Sequence, residues 1–167
     1  MHEEIISKLN NALATLQVHK ANIQGAHWNM RGCHVFLFMH RYFDEMYAGN
    51  AAHIDFIAEA IRILGQNPNY TLTKFLARSY ISEASLEQVI DFKKVLKKAL
   101  EDNQRMLELS KKLFSASAAY PDINDYAAGM VADFGKRIWF LKSSIMEDKM
   151  EEKKEEPTEE GSSYDED

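Results

Sequence analysis

FLFMHRYFDEMYAGNAAHIDFIAEAIRIL (residues 36–64) reads as one long helix with two working faces. Phe43, Met46, Ile54, Ile57, Ile61 and Leu64 fall within about 80° of one another on a helical wheel, the stripe a helix buries against its own domain. Beside that stripe lies a second, polar one. His40 and Asp44 are four residues apart, Asp55 and Glu59 are four apart, and the two pairs mirror each other about the bond between Gly49 and Asn50. Ala48 and Ala51 share the symmetry. At about 100° per residue these six side chains occupy a band roughly 100° wide. The two polar pairs nevertheless lie ~22 Å apart along the axis, at 1.5 Å per residue, too far for one helix to bring both to one ion. A second copy, antiparallel across a two-fold axis, would set His40 and Asp44 of one chain against Asp55 and Glu59 of the other. The alanines would then sit at the crossing, where backbones must approach.

Imidazole with carboxylate oxygens and no thiolate suits iron, zinc or manganese. The same residues also have a plainer reading. His40 can be a hydrogen-bonded surface histidine, and Asp55 and Glu59 can belong to solvated i, i+4 networks. The spacing by itself leaves both readings open. HExxH is absent, which excludes the metalloprotease helix. Glu-x-x-His, with which helix bundles build a di-iron site inside one chain, is absent too. No Gly-rich phosphate loop is present, and Cys33, near His34, reads as an ordinary loop thiol.

Outward from this helix the chain remains helical, with apolar periods of three and four and few glycines or prolines. A first helix is predicted from about His2 to Met30, with Ile5, Leu9, Leu13, Leu16, Ile23 and His27 on one stripe and Gly32 marking its end. Gly65 is expected to cap the second helix. Gln66-Asn67-Pro68-Asn69 breaks the chain, and a short helix is predicted near Thr73–Ser79. Ser85 with Gln88 resembles a capping box opening a third long helix, which runs to about Phe114. After a turn at Ser115–Pro121, Asp122 is expected to cap the fourth. The fold class is therefore all-α: a four-helix bundle with a long crossover, carrying the short helix, between helices two and three.

The chain has 167 residues and a net charge of −6, unevenly spread. From Glu147 to Asp167 there are 11 acids and three lysines, whereas the remainder carries 15 acids and 17 Lys/Arg. The expected organisation is one helical domain over residues 1–147 and an acidic, disordered tail over 148–167. One cysteine excludes an internal disulfide and fits a reducing, cytoplasmic setting. No basic-then-apolar leader opens the chain, and no apolar run reaches the ~18–20 residues that span a bilayer.

His27-Trp28-Asn29-Met30-Arg31-Gly32, then His40-x3-Asp44, Asp55-x3-Glu59 and Ile63-Leu64-Gly65, together resemble the Dps family of mini-ferritins. The resemblance continues through Pro68, Tyr80-Ile81-Ser82-Glu83-Ala84 and Trp139-Phe140-Leu141. It implies a ferritin-like bundle assembled into a hollow homododecamer. It also implies oxidation of ferrous iron by hydrogen peroxide or O2 and storage of the ferric product. By this resemblance His27, His40 and Asp44 ligate from one subunit and Asp55 and Glu59 from its two-fold mate. Trp28 stands beside the site as an electron-transfer or packing residue. Asp125 lines an iron-entry pore at the three-fold axis; Asp122 joins it or serves as the helix cap. One residue more than the family pattern lies between Gly32 and His40. Many DNA-binding relatives carry a lysine-rich N-terminal arm. Here helix one starts at once and the tail is acidic, so DNA binding is expected to be weak or absent. Two rival readings accompany the resemblance: a non-enzymatic, DNA-organising cage with a weak metal site, and a cage that buffers zinc at the same ligands.

Overall fold

The computed structural model describes residues 2–31, 36–84 and 92–155, with 146–155 as backbone only. Helix α1 spans His2–Asn29, α2 Phe36–Ile63, α3 Leu72–Arg78, α4 Phe92–Ala116 and α5 Pro121–Glu155. Among the described residues there is no strand. Gly32, Cys33 and the Ser85–Gln88 capping box lie outside the described residues, as does 156–167.

Two apolar clusters give the direction of the four long helices. Ile5, Leu9 and Leu13 of α1 pack with Ile57 and Ile61 of α2, Met106 and Leu113 of α4, and Ile123 and Ala127 of α5. Ile23 and Ala26 pack with Met39 and Phe43, Val95 and Ala99, and Leu141. The start of α1 therefore meets the ends of α2 and α4 and the start of α5. α1 and α5 run one way, α2 and α4 the other, and the long link carries the chain back along the bundle before α4 begins. Each fully buried Leu, Ile or Phe here contributes about 1.5–3 kcal/mol of transfer free energy. Every apolar stripe residue predicted for α1 is buried, and so are Phe43, Met46, Ile57 and Ile61 of α2.

The crossover is held to α1 by polar side chains. Asn69 N–H donates to Asn10 Oδ1 at 2.9 Å, and Tyr80 N–H donates to Thr15 Oγ1 at 3.2 Å. Asn22 accepts from Ala84 N–H at 2.8 Å and donates to Ser82 O at 3.0 Å. Arg78 reaches Asn11 Oδ1 at 3.0 Å. A link with so little secondary structure must place its backbone groups on other partners. Asn10, Thr15 and Asn22 of α1 supply them, and Phe75 of α3 seals the core beneath.

The end of α2 follows its sequence signal, and α3 runs over Leu72–Arg78, one residue earlier than expected. Gly65 is at φ 84, with Gln66 N–H on Ile61 O and Gly65 N–H on Arg62 O. This is the Schellman cap, which needs a residue tolerant of positive φ. At α5 the structure corrects one detail: Asp122 lies inside the first turn rather than capping it. Pro121 takes the first helical position, where its missing N–H costs nothing. α5 continues to Glu155, eight residues into the segment assigned to the tail. Glu and Lys dominate there and are good helix formers.

Candidate functional site

The last turn of α1 faces the opening turns of α2, which brings His27 and His40 together despite the extra residue in the link between them. Their rings stack with centroids 3.8 Å apart at 19°. His27 Nδ1 lies 2.8 Å from the main-chain oxygen of His40, and His40 Nδ1 lies 3.0 Å from that of His27. A carbonyl only accepts, so each Nδ1 carries the proton and each neutral ring leaves Nε2 as a lone pair. Histidines that ligate metals are oriented in this way, through the hydrogen bond made by the other nitrogen. Phe36 stacks on His40 at 5.3 Å, and Tyr47 meets His27 edge-on at 5.4 Å.

Asp44 is exposed one turn after His40. The Tyr47 hydroxyl donates to it, and that bond raises the phenol above its ordinary value. Tyr47 escaped the sequence reading although it lies on the same stripe, three residues beyond Asp44. Asp55 and Glu59 are exposed farther along α2, at a helical rise of ~22 Å from the first pair. Among the described residues, no three His, Cys, Asp or Glu side chains of one chain converge on a point. Trp28, next to His27, is 69% exposed. Asp122 and Asp125 are exposed on the first turns of α5, at the end of the bundle away from His27 and His40.

A second polar group, also missed, links α5 through α2 to α1. His53 Nε2 lies 2.9 Å from Asp133 Oδ2, and its Nδ1 lies 3.0 Å from the Tyr126 hydroxyl. Arg137, 5% exposed, donates to both Asp133 oxygens and to Asn50 Oδ1 at 2.7 Å. Burial pushes Asp133 up, but the His53 hydrogen bond and the Arg137 charge outweigh it and hold the carboxyl below its ordinary value. Asn50, with its oxygen committed to Arg137, turns its Nδ2 to His19 Nδ1 at 3.1 Å. His19 then carries its proton on Nε2, which is buried without a partner. Burial first, and the Arg137 charge second, pull His19 down to about 3. Gly49 makes room for the guanidinium: a Cβ there would lie 2.6 Å from Arg137 Nη2. No periodicity announces this chain of contacts, because its members sit on three helices.

Residues 6–150 match the model of the ferritin-like domain. An uncharacterised Haemophilus influenzae protein is 41% identical over 80 residues, 48% of this chain. The chain spans about half (49%) of that relative's length. DNA protection during starvation protein 2 of Bacillus anthracis is 29% identical over 147 residues, 87% of this chain and 99% of that one. Dps from Staphylococcus aureus superposes with a TM-score of 0.80 over 86% of this chain and 95% of that one, at 24% identity. With the bundle topology and the crossover helix, these matches show that the chain belongs to the ferritin-like family, as a Dps-type mini-ferritin.

Proposed function

We propose that this protein oxidises ferrous iron with hydrogen peroxide at sites completed between two-fold-related copies, and stores the ferric product inside a homododecamer in the cytoplasm. The observation that carries the proposal is the reciprocally locked His27–His40 pair, set between the last turn of α1 and the start of α2, a long way from the mirrored Asp55 and Glu59. Half a ligand set lies at each end of the stripe, and an antiparallel copy makes it whole. The iron is substrate. His27, His40 and Asp44 bind it from one copy, Asp55 and Glu59 from the other. The Nε2 atoms supply the nitrogen donors. The carboxylates offset the charge and leave positions open for the oxidant. Two ferrous ions then give one electron each to a peroxide. Its O–O bond breaks, and two solvent protons complete two waters, so no hydroxyl radical is released. Trp28 stands beside this site as a further electron source. Asp125 and Asp122 form the acidic entrance for ferrous ions. The tail, rich in carboxylates, opposes phosphate contacts, so the cage holds DNA weakly.

The test is anaerobic ferrous loading followed by peroxide, read by ferric absorbance. Two ferrous ions consumed per peroxide supports the proposal. Tight zinc binding at the same residues with no ferric product overturns it in favour of a metal buffer. So does a cage that binds DNA but neither binds nor oxidises iron, in favour of a DNA-organising role.

A further inference from the structure

We propose that Tyr126 is a reversible one-electron relay whose phenolic proton is held by His53. Asp133 is doubly paired with Arg137 and stays ionised, so its oxygens only accept. His53 Nε2, 2.9 Å from Asp133 Oδ2, is therefore the protonated nitrogen. In the neutral ring Nδ1 is then an acceptor, and the phenol 3.0 Å away is its donor. The other acceptor within reach of the Tyr126 hydroxyl, Ala52 O, is farther, at 3.4 Å. The Tyr126 ring lies flat on Phe56, with centroids 3.5 Å apart at 5°, and Phe56 adjoins Asp55 in the chain. Burial, with the Asp133 charge, raises the phenol above its ordinary value, so at rest it keeps its proton. A phenol that must lose a proton to be oxidised, paired to a base oriented by a half-buried carboxylate that a buried guanidinium holds, can give up both at once. A cleft lined by Tyr42, Glu45, His53 and Asp133 opens beside this pair.

The step balances as follows. A hydroxyl radical, formed when peroxide takes only one electron from a ferrous ion, removes one electron from the Tyr126 phenol. The phenolic proton shifts along the existing hydrogen bond to His53 Nδ1. The hydroxyl radical becomes hydroxide and, with a solvent proton, water. A ferrous ion then returns the electron and becomes ferric, and the proton moves back from His53 to the phenolate oxygen. That oxidant comes from ferrous iron reacting singly with peroxide outside the paired sites proposed above, so its role rests on that reading, whereas the relay itself is testable without iron.

The iron-free, full-length protein is exposed to azide radicals generated by pulse radiolysis. A long-lived neutral phenoxyl radical is expected in the wild type and in Tyr120→Phe, several-fold diminished in Tyr126→Phe. In His53→Gln the radical should form but decay several-fold faster, and high-field EPR should lose the shift caused by a hydrogen bond from protonated imidazole. Equal phenoxyl yield and lifetime in wild type and Tyr126→Phe would overturn the proposal, as would an unchanged radical in His53→Gln. Should either variant fail to assemble, 3-fluorotyrosine placed at residue 126 of the otherwise unchanged chain provides the second route. A fluorine splitting in the EPR signal supports the relay, and an unsplit signal overturns it. Iron takes no part in this experiment, so its failure leaves ferrous oxidation standing, and loss of ferroxidase activity leaves the relay standing.

Discussion

His19 is the residue at which the interior of the bundle becomes sensitive to pH. It is fully buried and neutral, pulled down to about 3 by burial and then by Arg137. Between about 3 and the unfolded value near 6.5 the unfolded chain binds a proton that the folded chain refuses. The stability it contributes is complete above about 6.5 and is lost as pH falls, with a slope of about 1.4 kcal/mol per pH unit. Asp133, held low, adds to the same acid limb; Asp102, pushed up by burial, acts in the opposite sense. The urea midpoint should therefore drop between neutral pH and pH ~4, and His19→Leu should flatten that drop. Equal slopes in the two proteins would remove His19 from the account. Gly49 supplies a second prediction at this scale. Gly49→Ala places a methyl group 2.6 Å from Arg137 Nη2, and Arg137 has little freedom to yield because Asp133 and Asn50 hold it. The expected loss is about 1–3 kcal/mol of unfolding free energy, the usual cost of overpacking.

At the scale of elements, the crossover depends on α1 more than on its own short helix. Asn22 serves Ala84 N–H, and shares with Lys98 both Ser82 O and the Asp102 carboxylate, which Asn22 reaches at 3.0 Å. Asn22→Ala should cost about 1–3 kcal/mol, chiefly for the Ala84 N–H left unpaired. Hydrogen exchange at the Ala84 amide should accelerate more than exchange in the centre of α4. Uniform acceleration would mean that the link is not locally tethered. Helix existence and the α2 cap were legible in the sequence because apolar period and glycine chemistry are local. The tethers were not, since the partners of Asn10, Thr15 and Asn22 arrive only when the chain returns past them about 60 residues later.

At the scale of the whole molecule, the mirrored stripe predicts an assembly that can be tested by mixing. His40→Ala with Asp44→Ala in one protein, and Asp55→Ala with Glu59→Ala in another, should each abolish ferrous oxidation. Co-assembled, the two lesions combine in one site of each mixed dimer and leave the other site wild type. Activity should return from two inactive parents; verified mixing without activity would mean that the sites are not shared. A gel shift of the intact protein at physiological salt should show little DNA retention, and tight, salt-sensitive binding would contradict that.

By itself the sequence determined four amphipathic helices, the crossover between the second and third, the α2 cap and the polar stripe with its mirror plane, because each is written in spacing along one element. Tertiary structure decided what no spacing encodes. It stacked His27 on His40 and fixed both tautomers through main-chain carbonyls, despite the extra residue between them. It also assembled the Tyr126–His53–Asp133–Arg137–Asn50–His19 chain from three helices. The physical reason is the same in both cases. A hydrogen bond between helices depends on where two side chains meet, and that is settled only when the apolar faces have packed.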